Sequence, residues 1–291
     1  MRFHHFVLAL FVMIQWAQAQ AASMQITAGI PPVQYLAERI GGDLIQVQSL
    51  VEPGQSPHTY EPTPRQMTAL AQSKLYLKIG IPFEDTIVQR FASSFKNVKV
   101  VDLRQGIELI PSSDPDEVGQ NGRANPDPHI WLDPQNAMLI AKGICQALSA
   151  ADPSNPSAYQ NNLAAVLAEL TTLNQTIAQQ LHPYQNRAFY VFHPDLGYFA
   201  KRYGLKQRAI EHEGKEPSPK QLSELVDAAR KDKVQAILTQ PQYSPQAAQA
   251  MASAIGGSVM QVNPLEKDYF KSLHTIADAI DKALSPNAAG H

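Results

Sequence analysis

Three histidines account for the chemistry that this sequence indicates most clearly. His58, His129 and His193 each lie beside a proline, in the segments Ser-Pro-His-Thr, Asp-Pro-His-Ile and Phe-His-Pro-Asp. Because proline fixes one backbone dihedral angle and removes a hydrogen-bond donor, these segments are predicted to be rigid turns. A neutral imidazole is a favoured ligand of zinc and other late divalent ions. The spacing is too wide for a zinc finger, so the ligands would have to converge through the tertiary fold.

Acidic residues beside His129 add to this chemistry. Asp127 and Asp133 flank it, and either carboxylate could accept a hydrogen bond from the imidazole and so fix its tautomer. Asp133 followed by Pro134 also fits the cap and the first residue of a helix, and we favour this role for Asp133. His182 lies at the predicted end of a long helix, where a positive charge is favourable, and we interpret it as structural.

The elements that must position these residues follow an alternating pattern. Short apolar runs, each followed by a helical pattern, predict strands in two sets of four, at residues 24–30, 45–51, 74–79, 98–103, 188–192, 206–210, 234–239 and 258–262. Between the sets, apolar residues recur every three or four positions from Pro153 to Leu181, which predicts one long helix. We therefore predict an α/β fold of two lobes, each with a mainly parallel four-stranded sheet flanked by helices, joined by the long helix. We find no residue-level repeat between the halves.

The predicted boundaries place the histidines between the lobes. The expected segments are a signal peptide at 1–19, an N-terminal lobe at 20–152, the linking helix at 153–182 and a C-terminal lobe at 183–291. His58 follows the second strand, His129 the fourth strand, and His193 the first strand of the C-terminal lobe. Ligands of open α/β sheets bind beyond the carboxyl ends of the strands, so we expect one cleft to contain all three histidines.

The N-terminus has the features of a secretory signal peptide. A short basic start precedes an apolar run at 6–14, and Ala17-Gln18-Ala19 fits a cleavage site. The run is too short to span a membrane, and no later segment approaches about 20 continuous apolar residues. The single cysteine, Cys145, lies outside this region, so we expect no lipid-anchor cysteine and no internal disulfide. We predict an exported, periplasmic protein, and the net charge of −2 gives no indication of nucleic-acid binding.

Four segments resemble the motifs of a single family. They are residues 57–64, the Asp-Pro-His-Ile-Trp-Leu-Asp-Pro segment at 127–134, residues 191–199 and the Glu-Pro-Ser-Pro segment at 216–219. Together they resemble the zinc/manganese substrate-binding proteins of ABC importers, of the zinc-uptake type, over nearly the whole mature chain. The resemblance implies two α/β lobes joined by a long helix, a divalent metal held between them by His58, His129 and His193, and delivery to an ABC permease of the inner membrane.

The fourth metal ligand is where this sequence departs from the family. The family usually has an Asp after the last strand of the second lobe, and the matching residue here is Asn263. An Asn carbonyl is a weaker, neutral ligand, and the alternatives are a bound water, Glu211 or His212. Members of the manganese type tend to have a carboxylate at the third position, where this chain has His193. Three imidazoles favour Zn²⁺ over the harder Mn²⁺, although copper and nickel would also bind such a site.

Three functions are compatible with these residues. The first is a periplasmic zinc-binding receptor, expected to be a monomer. The second is a secreted zinc-dependent hydrolase, which would also need a substrate pocket and a general base, for which Glu211 and Glu213 are the candidates. No His-Glu-x-x-His helix is present, and we predict that the chain is not an enzyme. The third is a metal-binding adhesin on the same scaffold. The acidic loop at 105–125 contains no histidine, and we interpret it as a solvated loop.

Overall fold

The computed structural model describes residues 23–90, 92–94, 96–112, 125–211 and 215–285. The predicted signal peptide at 1–19 and most of the acidic loop at 105–125 lie outside these ranges. Within them, the chain forms two α/β lobes bridged by one long helix, which confirms the predicted fold class. The exact domain boundaries stay a prediction.

The N-terminal lobe is built on four parallel strands. The strands are β1 (Met24–Ala28), β2 (Ile45–Ser49), β3 (Leu75–Lys78) and β4 (Lys99–Asp102), in the order β2-β1-β3-β4. The helices are α1 (Pro31–Gly41), α2 (Pro64–Gln72), α3 (Pro82–Arg90) and α4 (Pro134–Ala151). Strand β3 is buried at every residue, as expected for a central strand of a sheet covered on both faces.

The C-terminal lobe repeats this arrangement. Its strands are β5 (Ala188–Val191), β6 (Lys206–Ala209), β7 (Ala236–Thr239) and β8 (Ser258–Gln261), in the order β6-β5-β7-β8 and again parallel. Its helices are α6 (Gly197–Tyr203), α7 (Pro219–Asp232), α8 (Gln246–Ile255) and α9 (Tyr269–Leu284). The two sheets therefore have the same strand order, counted from the first strand of each lobe.

The long helix α5 (Pro156–Leu181) connects the lobes and packs against both. Its 26 residues span about 39 Å at 1.5 Å per residue. One face is buried, at Val166, Leu170, Leu173, Ile177 and Leu181. This face contacts α1 and α4 of the N-terminal lobe and α9 of the C-terminal lobe. Because one rigid element contributes to both cores, the lobes are held in a defined relation to each other.

Equivalent helices of the two lobes begin with the same short sequence. Helix α2 begins within Glu-Pro-Thr-Pro-Arg-Gln at 61–66, and α7 begins within Glu-Pro-Ser-Pro-Lys-Gln at 216–221. In both, the Thr63 or Ser218 hydroxyl accepts a hydrogen bond from the backbone of a Gln three residues on, whose side chain reaches back to the cap. The expectation that the halves share no residue-level repeat therefore fails at this short segment, which lies at the junction of a loop and a helix rather than within an apolar element.

A buried glutamate fixes the loop after β3. Glu84 is fully buried, and its Oε2 accepts hydrogen bonds from the three backbone N–H groups of residues 79–81, at 2.7–3.0 Å. Its Oε1 lies against Gly29, where a Cβ atom would be 2.0 Å away, so the close approach requires glycine. Burial raises the pKa of Glu84 to about 7, although the three N–H groups and Lys78 oppose the rise.

This pKa predicts a pH-dependent stability. Between the ordinary value of 4.5 and about 7, the folded state binds more protons than the unfolded state, so the free energy of unfolding falls as pH rises through this window. The variant Glu84→Gln retains an oxygen for the three N–H groups but does not titrate. Urea unfolding is expected to show that the variant gains about 2–3 kcal/mol relative to the parent between about pH 5 and pH 8. Glu224→Gln, on the exposed surface of α7, is the matched control. A constant difference between parent and Glu84→Gln across this range would contradict the assignment.

Candidate metal centre

Three loops at the carboxyl ends of strands bring the predicted histidines together. His58 lies between β2 and α2, His129 precedes the short 3-10 turn Ile130–Leu132 that leads to α4, and His193 follows β5. One ligand nitrogen from each lies within 4.8 Å of those of the other two. Two of the histidines come from one lobe and the third comes from the other, as the strand-end argument predicts.

The distances between these nitrogens match ligands that share one ion. Nε2 of His58 is 3.3 Å from Nε2 of His129 and 3.0 Å from Nε2 of His193. In a tetrahedral zinc site with Zn–N bonds of about 2.0–2.1 Å, two nitrogen ligands lie about 3.3 Å apart. Small adjustments of side chains would therefore place a zinc ion at bonding distance from all three.

Buried carboxylates orient two of the imidazoles. Asp127 Oδ1 is 2.8 Å from Nδ1 of His129, and Glu211 Oε1 is 2.5 Å from Nδ1 of His193. When it is ionised, a carboxylate can only accept a hydrogen bond, so each carboxylate favours the tautomer with the proton on Nδ1. Nε2 then presents a lone pair to the shared centre. The role of Asp127 agrees with the sequence analysis, which considered Glu211 only as a ligand or a base.

The electrostatic environment of the centre favours a cation. Burial raises the pKa of Asp127 to about 7. The backbone N–H of His129 and any positive charge on His193 or His58 lower this pKa, but by less than burial raises it. Burial raises the pKa of Asp195 well above its usual range, and Asp127 and Glu211 add to the rise. Three buried carboxyl groups therefore lie around the three imidazoles, and a divalent cation would stabilise the ionised forms of these carboxyl groups.

Residues that the sequence analysis did not single out hold His193 in place. Gln240 accepts a hydrogen bond from the backbone N–H of His193 at 3.2 Å and donates one to its carbonyl at 2.9 Å. The ring of Tyr243 stacks on the imidazole, with centroids 4.9 Å apart and an interplanar angle of 24°. Gln240 directly follows β7, so the strand-end rule that located the histidines could also have found it.

Asp133 has the capping role that the sequence favours. Its Oδ1 accepts a hydrogen bond from the backbone N–H of Gln135 at the start of α4, at 2.8 Å. Arg202 of α6 donates to both of its oxygens, at 2.7–2.8 Å. These bonds also tie the two lobes together close to the histidines.

Further hydrogen bonds cross between the lobes beside the centre. Trp131 donates from Nε1 to the carbonyl of Pro264 at 2.9 Å. Tyr198 donates to the carbonyl of Asp127 at 3.0 Å and accepts from the backbone N–H of Ile110 at 3.2 Å. Because these bonds join the loop of His129 to the C-terminal lobe, the three imidazoles are positioned by the assembled lobes rather than by either one.

In this structure the side-chain oxygen of Asn263 is bonded to other protein groups and is not directed at the histidines as a metal ligand would be. Its Oδ1 accepts hydrogen bonds from the backbone N–H of Leu265 and from Nε2 of Gln242, both at 3.2 Å. Asn263 is not among the described residues that line the pocket around the histidines. Ligation by Asn263 would require its side chain to leave these partners, and its role as fourth ligand stays a prediction.

The other candidates for the fourth position are placed as follows. Glu211 contacts Nδ1 of His193, on the opposite edge of the ring from the shared centre, so it orients a ligand in this structure. His212 and Glu213 lie outside the described residues.

The pocket is too small for an organic ligand. It is lined by the three histidines together with residues such as Trp131 and Tyr243, and about 20 Å³ is open to a water-sized group. A single water needs about 10–15 Å³ of such space, whereas sites for organic ligands occupy about 300–1,000 Å³. An ion with one small additional ligand fits, and a hydrolase substrate does not.

The fold and the site together define a two-lobe binding protein for a metal ion, and comparisons with known proteins identify its family. A family model described as zinc-uptake complex component A periplasmic, ZnuA, matches residues 26–283, and the chain belongs to this family. The family consists of transport substrate-binding proteins rather than enzymes, which confirms the prediction from sequence on both points.

Individual relatives include proteins named for two different metals. A crystal structure of ZnuA is 40% identical, with a TM-score of 0.83 over 90% of this chain and 100% of that one. The zinc-binding lipoprotein AdcA of Streptococcus pneumoniae is 28% identical over 89% of this chain and 53% of AdcA, so the chain spans about half of that protein. The manganese ABC transporter substrate-binding lipoprotein PsaA of Streptococcus pneumoniae is 32% identical over 70% of this chain and 68% of PsaA.

The carboxylates that orient the imidazoles should matter for metal affinity. Asp127→Asn and Glu211→Gln keep a hydrogen-bond acceptor but remove the negative charge that makes each imidazole a stronger ligand. Each is expected to weaken zinc binding about 10-fold or more, measured by competition with a chromophoric chelator. The exposed Glu224→Gln is the control and should bind like the parent. Equal affinities of all four proteins would show that the two carboxylates do not support the metal ligands.

Proposed function

We propose that the protein binds Zn²⁺ between its lobes through Nε2 of His58, His129 and His193, and delivers the ion to an ABC permease in the membrane. The observation that supports this most is the convergence of three imidazole nitrogens from two lobes. Nε2 of His58 lies 3.0 Å from Nε2 of His193 and 3.3 Å from Nε2 of His129. The buried carboxylates behind two of the rings give the cluster the charge that a divalent ion requires.

Zinc is the metal that the donor set favours. Three neutral nitrogen ligands suit Zn²⁺, whereas Mn²⁺ prefers oxygen ligands and a larger coordination number. The names of the relatives support a divalent metal but include both zinc and manganese binders. The feature of this chain that favours zinc is His193 at the third ligand position. The carboxylate of Glu211 orients the imidazole of His193 and does not take its place as a ligand.

Delivery would begin at the most accessible ligand. His58 is exposed, whereas His129 and His193 are buried and held by carboxylates. The hydrogen bonds and the shared helix that join the lobes leave little freedom for a wide hinge motion. We therefore infer that the permease displaces the His58 loop first and opens the site from that side.

The location of the protein follows from the same proposal. We place it in the periplasm, as a monomer, with the signal peptide removed. None of the helices within the described ranges is both long enough and apolar enough to cross a bilayer. Several relatives are named lipoproteins, and the absence of a lipid anchor stays a prediction. The adhesin alternative also stays a prediction.

Removal of single ligands tests the site. His58→Ala, His129→Ala and His193→Ala are each expected to weaken zinc binding by about 100-fold or more, because a three-nitrogen site would lose a bond to the ion. His182→Ala and His274→Ala are the controls and should leave affinity within about two-fold. Isothermal titration with a competing chelator measures the change. Tight binding by a protein that lacks all three histidines would disprove the assignment.

Metal preference is tested by direct competition. Because the ligands are imidazoles, zinc is expected to bind at least about 100-fold more tightly than manganese, in line with the order of affinities for nitrogen sites. Equilibrium dialysis of the metal-free protein against both ions, followed by elemental analysis, gives the ratio. A comparable occupancy by manganese at equal free concentrations would contradict a zinc site.

A further inference from the structure

One buried carboxylate oxygen at the metal centre has no hydrogen-bond partner in the described part of the chain. Asp195 is 5% exposed and lines the pocket together with the three histidines. Gln240 hydrogen-bonds its carboxylate group, but Oδ1 is buried and unsatisfied. Leaving a buried acceptor without a donor costs about 1–3 kcal/mol. Because Asp195 lines the pocket, a donor in the pocket, such as a water molecule, would satisfy this oxygen.

Asp195 differs in this respect from the other carboxylates at the centre. Asp127 and Glu211 are each bonded to an imidazole Nδ1, at 2.8 and 2.5 Å. Among the described residues, the set of candidate ligand atoms that lie within 4.8 Å of one another contains the three imidazoles but not Asp195. Asp195 thus lies beside the centre, but its carboxylate oxygens are not close enough to all three imidazoles to bind the same ion directly.

A metal-bound water would satisfy both the ion and the carboxylate. Zinc with three protein ligands completes its tetrahedron with a water, which becomes a strong hydrogen-bond donor. The space open to a water-sized group in the pocket, about 20 Å³, is close to what one water requires. The alternative protein ligand, Asn263, has its Oδ1 bonded to Leu265 and Gln242.

We propose, on the basis of the zinc site proposed above, that Asp195 holds a water molecule as the fourth ligand of the bound ion and excludes anions from that position. Oδ1 accepts a hydrogen bond from the water. The negative charge of the carboxylate opposes any anion that would replace it. The ion is therefore carried with a neutral ligand that leaves as water when the permease takes the metal.

Cobalt provides the probe for this inference, because the visible spectrum of Co²⁺ responds to each of its ligands. The parent, Asp195→Asn and Asp195→Ala are loaded with Co²⁺ and titrated with sodium azide, and Asp227→Asn, an exposed substitution on α7, is the control. Azide should bind to cobalt in both Asp195 variants at least about 10-fold more tightly than in the parent and the control. A 10-fold change in affinity corresponds to about 1.4 kcal/mol of binding free energy. Circular dichroism and cobalt stoichiometry check that each variant is folded and loaded. Using two variants keeps the test decisive if one does not fold.

The outcomes separate this inference from the function on which it rests. Equal azide affinity in all four cobalt proteins would overturn the role of Asp195 and leave the three-histidine site intact. A crystal structure of the zinc-loaded parent that shows Asp195 or Asn263 bonded directly to the ion would also overturn it. Failure of the parent to bind cobalt or zinc at all would instead contradict the function proposed above.

Discussion

The convergence of three imidazole lone pairs on one point is the constraint on which the rest of this structure depends. Nitrogens that present lone pairs to each other at 3.0–3.3 Å repel unless a proton or a cation lies between them. His58 can donate a proton from Nε2 to one neighbour. In His129 and His193, the carboxylate beside Nδ1 favours the tautomer with the proton on Nδ1, away from the shared centre. A divalent ion relieves the repulsion among all three rings at once and balances the buried carboxylates.

Holding such a cluster in place requires a rigid scaffold, and the fold supplies one. The histidines lie in loops at the carboxyl ends of strands in two separate sheets, so neither lobe alone forms the site. The shared helix α5 and the hydrogen bonds of Trp131 and Tyr198 fix the lobes relative to each other. The ligand side chains are therefore already ordered by folding. Little further conformational entropy is lost when the metal binds, and this strengthens binding.

The fold and the three histidines could be predicted from the sequence because both leave local signals. Alternating apolar runs and helical patterns specify parallel strands, and a proline beside each histidine marks a turn at a strand end. The partners of the histidines could not be predicted in this way. Glu211 meets His193 only because β6 lies beside β5, and Gln240 only because β7 lies on the other side. These contacts depend on strand order, which a single sequence does not specify.

The fourth position shows the same limit. Sequence comparison with the family pattern indicates Asn263, whereas the structure bonds its side chain to Leu265 and Gln242 and leaves an oxygen of Asp195 unsatisfied beside the pocket. Asp195 lies two residues from His193, but only the tertiary structure shows that its carboxylate is buried at the centre.

X-ray absorption spectroscopy of the protein loaded with one equivalent of zinc tests the central claim most directly. The account predicts a four-coordinate ion, with multiple-scattering features of three imidazoles and a first shell of nitrogen and oxygen at about 2.0–2.1 Å. A first shell with fewer than three imidazoles, or a six-coordinate shell of oxygen atoms, would contradict it.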